Sequence, residues 1–203
     1  MRIAILTLFS LVVLGCGRET VLGTPAVPPV PPVQTVAPQG ILSGPVASYE
    51  PSGAQIEPWS SSLESSEFSL VVRYTVQSCN PNSRLVELGG YDSLVGGGYG
   101  LEANSGGYLS CVIWDVTGHA PASVVATIPA SGEHAVACVL GSGVLTMYLD
   151  GALVGTVPAT YTYNLQEPLG LGTGSSGNWS YGGVISSVKI WNRVLSALEV
   201  SAL

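Results

Sequence analysis

The sequence predicts an all-β protein, a sandwich of two antiparallel sheets. Three observations carry that expectation. Gly supplies 26 and Pro 14 of the 203 residues, a composition that suits strands and turns better than helices. Apolar and polar side chains alternate through many short runs, which is the period of a strand. The connections between those runs are too short for the crossovers of a parallel sheet, so neighbouring strands must be antiparallel. Two such sheets bury their apolar faces by packing on each other.

The elements follow in order. Residues 68–76 read as the strongest strand, with Phe68, Leu70, Val72, Tyr74 and Val76 on one face and Ser69, Arg73 and Thr75 on the wetter one. Residues 84–88 give a shorter strand that stops at Gly89-Gly90. The strand at 108–116 sets Val112, Trp114 and Val116 on a common face, and a short strand at 123–128 follows. Next come 134–140, bounded by Gly132 and Gly141, and 144–149 after a Gly-Ser-Gly turn. Asp150-Gly151 is a type I′ hairpin dipeptide that leads into 153–156. Residues 169–172 and 184–191 complete the set. Helix is confined to 196–203, where Ser196 and Glu199 have the spacing of a capping box.

Upstream of residue 46 the chain has another character. Met1 and Arg2 precede an apolar run at residues 3–14, shorter than the roughly 20 residues of a spanning helix. This is the layout of an export signal, and Val13-Leu14-Gly15-Cys16 resembles a bacterial lipobox, whose Cys is acylated and becomes the new N-terminus. The resemblance implies a lipoprotein signal peptide at 1–15, lipidation at Cys16 and membrane lipid as a partner. Gly17 replaces the Asp associated with inner-membrane retention, which implies the outer membrane, facing the periplasm or the cell surface. Pro25, Pro28, Pro29, Pro31, Pro32, Pro38 and Pro45 stud residues 16–45. Each removes a backbone donor and fixes φ, so the segment reads as an extended tether. The sandwich is expected at 46–203.

Charge narrows the partners. Lys and Arg total 6 against 13 Asp and Glu, a net charge of -7. Lys189 is the only Lys, and phosphate contacts need clustered cations, so a nucleic-acid partner is excluded.

From Gly132 the sequence reads GEHAVACVLGSGVLTMYLDGALVG, and it closes on GGVISSVKIWNRVLSALEV. His134, Val136 and Ala137, then Tyr148, Asp150 and Gly151, then Trp191, Asn192, Arg193, Leu195, Ser196 and Glu199 carry a pattern. It resembles the laminin-G-like and concanavalin-A-like lectin/glucanase domains over about residues 65–203. The resemblance implies a concanavalin-A-like jelly roll. Two positions depart from it: Glu133 stands where the family has an aromatic, and Ser186-Ser187 where it has an acidic pair. His134 reads as a buried, satisfied histidine rather than a ligand or base.

Calcium is the cofactor the resemblance implies. Its oxygen ligands would come from Asp92, Glu102 and Asp115 with loop carbonyls near 96–98. Glucanases on this fold carry closely spaced acids on one strand, and no such run occurs here. The nearest pair, Glu64 and Glu67, falls on opposite strand faces, so the chain does not read as an enzyme. Glycan binding needs aromatics to stack on sugar rings beside polar partners. One loop offers Tyr91, Asp92 and Tyr99, and another offers Asn178, Trp179 and Tyr181. Trp179 reads either as the rim of a shallow saccharide site or as a plug folded back onto the sheet. The leading functional reading is a membrane-tethered, non-catalytic binding or adhesion module for a glycan or cell-envelope polymer. A purely structural envelope or surface protein stands second, and a glycoside hydrolase-like enzyme third.

Beyond Cys16 the chain holds Cys79, Cys111 and Cys138, a usage that fits an oxidising compartment. Cys111 and Cys138 lie mid-strand, on strands read as antiparallel neighbours, and either pair with each other or stand as buried thiols. Cys79 is the alternative partner. The lipobox reading has a direct check. Cys16→Ser should abolish lipid labelling and release the protein from the membrane fraction, and unchanged labelling would rule the assignment out.

Overall fold

The alternating runs fold as two six-stranded antiparallel sheets closed face to face in the computed structural model, which describes residues 44–76, 83–89, 97–104, 106–114, 122–161 and 166–203. The described strands are β1 (Ala47–Tyr49), β2 (Gln55–Glu57), β3 (Phe68–Thr75), β4 (Ser83–Gly89), β5 (Gly98–Asn104), β6 (Tyr108–Trp114), β7 (Ala122–Thr127), β8 (Glu133–Gly141), β9 (Val144–Leu149), β10 (Ala152–Pro158), β11 (Leu169–Leu171) and β12 (Val184–Trp191). One sheet runs β1-β12-β3-β8-β9-β10 and the other β2-β11-β4-β5-β6-β7. Among the described residues one α-helix, α1 (Ala197–Ser201), follows β12, and a 3-10 turn outside the expected helical stretch spans Ser61–Leu63. The all-β sandwich expected from the sequence is therefore the fold.

Inward side chains of the two sheets make one core. Phe68, Leu70, Val72 and Tyr74 of β3 meet Leu85 and Leu88 of β4, Leu101 of β5 and Leu109 and Ile113 of β6. Each fully buried side chain of this size contributes about 1.5–3 kcal/mol. Three strands were not expected: β1, β2 and β5. The first two are only three residues long. β5 reads GYGLEAN, and its glycines conceal it, since Gly is a strand breaker by propensity. Gly100 is required there. A Cβ would stand 2.9 Å from the Trp114 ring and 2.8 Å from the Val86 carbonyl.

The outer face of the first sheet is covered by the chain's own end. Val71, Ala137, Val139 and Trp191 pack under Leu195 and Val200. This buries Ser69, placed on the wetter face by its sequence. Its hydroxyl donates to Arg193 O at 2.8 Å and accepts from Leu195 N at 2.9 Å. The capping box forms as expected, with the Ser196 side chain on Glu199 N and the Glu199 carboxylate on Ser196 N at 2.7 Å. Arg193 Nη1 donates to the same carboxylate at 2.7 Å.

Asp150 and Gly151 take φ of 51° and 77°, the left-handed pair of a type I′ turn. The Asp150 carboxylate accepts from Ala135 N at 2.9 Å and faces His134 Nδ1 at 2.8 Å, while His134 Nε2 faces Ser131 O at 2.9 Å. The Asp150 hydrogen bond is the main force raising the His134 pKa above its ordinary value. Burial opposes ionisation of Asp150, yet the Ala135 N–H and the imidazole hold its pKa below the usual range. In the imidazolium form both ring N–H groups donate, so His134 is satisfied. Its side chain is nonetheless partly exposed rather than buried, which corrects the sequence reading on that point. The two departures from the lectin pattern also meet: the Ser186 hydroxyl donates to the Glu133 carboxylate.

Cys111 and Cys138 are bridged, with Cα atoms 5.7 Å apart. The reason differs from the one expected. Cys111 lies on β6 and Cys138 on β8, strands of opposite sheets, so the bridge crosses the core rather than joining neighbours within a sheet. Cys79 lies outside the described residues. Closing a loop between residues 27 apart stabilises by about 3–4 kcal/mol. Cys111→Ala/Cys138→Ala should lower the denaturant midpoint by that equivalent. A midpoint shift below about 1 kcal/mol would show that the bridge contributes little beyond packing.

Candidate functional site

On the face of the second sheet that points away from the core, a charged cluster is sealed by aromatic rings. Its origin is a bulge. In a regular strand residues three apart fall on opposite faces. The β4–β5 register shifts between Arg84 and Val86, which puts Arg84 and Glu87 on one side. Arg84 Nε then donates to Glu87 Oε2 at 2.6 Å, and Arg84 Nη1 to Glu102 Oε1 of β5 at 2.7 Å. Arg84 is 6% exposed and Glu87 2%. Such a cluster persists under cover only because each charge is paired and hydrogen-bonded. Burial pushes the Glu102 pKa up, Arg84 pulls it back, and Glu87 adds to the rise.

The cover is built from both sides. Trp114 of β6 lays its ring across Gly100, with the Arg84 guanidinium 5.6 Å from the ring centroid. Trp179 approaches from the loop after β11, and the guanidinium lies 5.0 Å from its centroid. The cation is held between two indoles, an arrangement worth about 0.5–2 kcal/mol per ring depending on desolvation.

The loop is shaped for this contact. Asn178 O accepts from Gly174 N at 2.7 Å and from the Thr173 hydroxyl at 3.0 Å, which closes 173–178 on itself. Glu87 Oε1 accepts from Ser175 N at 3.0 Å and so ties the loop to β4. Trp179 O then accepts from Arg84 N at 2.8 Å. Trp179 itself sits at φ 58°, a left-handed conformation that is costly for a bulky residue. The surrounding hydrogen bonds hold it there. Its ring is half-buried, while Ser176 and Asn178 beside it are exposed.

The structure separates the residues singled out in the sequence. Asn178 and Trp179 stand together on the loop. Tyr181 does not join them at the rim. It is 9% exposed in the inter-sheet core, with its hydroxyl donating to Thr75 O at 3.1 Å. Tyr99 is likewise corrected: it is 1% exposed and stacks on Phe68 at 4.1 Å between centroids. Tyr99 is inward by its register on β5, and Tyr181 is held inward by its N–H on Gly172 O and its hydroxyl on Thr75 O. Glu102 Oε1 accepts from Arg84 Nη1, and among the described residues no group of three or more His, Cys, Asp or Glu is placed to hold an ion. Tyr91, Asp92 and Asp115 lie outside the described residues. Glu64 accepts from Trp59 Nε1 at 2.9 Å and Glu67 from Ser142 N at 3.1 Å, so both serve loop structure. Sequence reasoning missed Arg84, Glu87, Gly100 and Trp114. The usable signal was an Arg and a Glu inside an otherwise apolar strand.

A family model described as the concanavalin A-like lectin/glucanases superfamily matches residues 51–201. No curated protein matches the chain. Among solved structures, the CBM40 of Ruminococcus gnavus IT-sialidase bound to α2,3-sialyllactose superposes with a TM-score of 0.64 at 16% identity, covering 78% of this chain and 98% of that one. The NanB sialidase from Streptococcus pneumoniae gives 0.64 at 14% identity, covering 79% of this chain and 28% of that one. A leech intramolecular trans-sialidase gives 0.61 at 12% identity, covering 80% and 29%. At these identities the likeness is one of fold.

The cluster predicts a ranking of stabilities. Arg84→Ala leaves the buried Glu87 carboxylate without its cation and beside the partly exposed Glu102, and should cost about 3–5 kcal/mol. Trp179→Ala removes one ring from a half-buried position and should cost about 1–2 kcal/mol, less than the 3–5 kcal/mol of a fully buried Trp. Denaturant unfolding of both variants checks the order, and a reversed order would contradict the arrangement described.

Proposed function

Because the chain belongs to the concanavalin A-like lectin/glucanases superfamily, we propose that it is a non-catalytic glycan-binding module, held at the bacterial outer membrane by a lipid on Cys16 and a proline-rich tether. The observation that carries the binding reading is Trp179. The loop spends hydrogen bonds and a strained backbone to present a half-buried indole above the outer face of a sheet. The Arg84 guanidinium packs on the ring and orients it, and the exposed Asn178 and Ser176 stand beside it as hydrogen-bonding partners for hydroxyl groups. Aromatic stacking flanked by a few polar groups is how proteins hold sugar rings. The fold likeness supports binding over catalysis, since the match spans 98% of a CBM40 module that binds sialyllactose and only 28% of a sialidase. The cross-core disulfide supports an oxidising compartment.

One stacked aromatic contributes about 1 kcal/mol, so single-site affinity is weak and many tethered copies supply avidity. The full-length protein on a glycan array and on cell-envelope polysaccharide should bind weakly. Trp179→Ala should reduce that binding about fivefold or more, while Trp179→Phe, which keeps a ring over Arg84, should retain most of it. Unchanged binding by a folded Trp179→Ala variant would remove the site from the reading.

A further inference from the structure

We infer that this module takes an uncharged saccharide at the Trp179 loop and rejects sialylated and other anionic glycans. The inference rests on the glycan-binding reading above and sharpens its ligand class.

A sugar carboxylate or phosphate held against a protein loses water, and it needs a cation free to pair with it. Residues 44–203 contain four Lys and Arg in all: Arg73, Arg84, Lys189 and Arg193. Arg73 lies on β3, Lys189 on β12 and Arg193 just beyond β12, all on or next to the other sheet. Arg84 is therefore the one cation on the strands beneath the Trp179 loop. Its charge is already shared by two carboxylates. Two of its nitrogens are taken by Glu87 and Glu102, and its flanks are covered by Trp114 and Trp179. Its 6% exposure leaves no approach for a ligand anion.

The balance at the cluster is one positive charge against two carboxylates. An anionic sugar stacked on Trp179 would meet a net negative field, and the whole chain adds to it with a net charge of -7. A neutral polyol meets the opposite situation. Its hydroxyls find an amide at Asn178, a hydroxyl at Ser176 and a carboxylate acceptor at Glu102, whose side chain is 23% exposed. The device that holds the indole in place, a cation saturated by two acids, is the same one that denies an anion its partner.

The test uses the full-length protein on an array of matched pairs, lactose with 3′-sialyllactose and further neutral glycans with their sialylated forms. The neutral member of each bound pair should be favoured at least about tenfold. Its affinity should stay nearly flat as salt rises from about 0.05 to about 0.5 M, because no ion pair is screened. Preference for the sialylated member with salt-sensitive affinity, or equal binding of both, would overturn the inference and leave the glycan-binding reading standing. Binding to no member of the array would remove that reading, and this inference with it.

Discussion

Each sheet is apolar on a face that water cannot be allowed to reach, and closing the two faces on each other is the constraint from which the rest of the molecule follows. It dictates period-2 alternation in β3, β8 and β9, and it draws Tyr99 and Tyr181 inward despite their glycine-rich surroundings. It also explains where the disulfide runs. Cys111 and Cys138 occupy inward positions on opposite sheets, so the bridge pins the closed state directly. A link between neighbours within one sheet would leave the two sheets free to part.

Closure leaves two outer faces, and the chain treats them differently. The first is covered by the segment after β12, anchored through Ser69, the Arg193–Glu199 pair and the capping box of α1. That cover is an apolar patch held down by these polar anchors. The second is covered by the loop after β11, and beneath it lies the paired charge cluster of Arg84, Glu87 and Glu102. Burying charge is costly compared with burying a hydrocarbon. Arg84 and Glu87 lie deeper under their face than the Arg193–Glu199 pair does under the other. The left-handed Trp179 is at the same place.

The family likeness and the ligand inference concern different levels of the molecule. Backbone topology is shared with sialidase-associated modules at identities of 12–16%. Ligand choice is decided by side chains, and on the described strands beneath Trp179 the one Lys or Arg is Arg84, already paired with Glu87 and Glu102. A common sandwich is therefore compatible with different side chains on that face. The paired departures at Glu133 and Ser186 make a similar point. Two changes from the usual pattern fall within hydrogen-bonding reach of each other, so the fold absorbs them together.

The sequence by itself determined the class of fold and the positions of most long strands, because alternation is a local signal and survives without partners. It determined the type I′ turn at Asp150-Gly151 and the capping box at Ser196 for the same reason: each is a contact between residues close in the chain. It also singled out Asn178 and Trp179, since a large aromatic in a loop of Gly and Ser has no periodic explanation. Tertiary structure alone decided the rest. β5 was hidden because Gly100 answers to a ring fourteen positions away, not to its neighbours. Arg84 and Glu87 share a face only because a bulge breaks the period that would have parted them. Tyr99 and Tyr181 were assigned to the rim from composition, but inward or outward is set by strand register for Tyr99 and by a hydrogen bond to Thr75 O for Tyr181. The cluster that organises the site is a set of such long-range pairings, and pairings of that kind exist only once the sheets have formed.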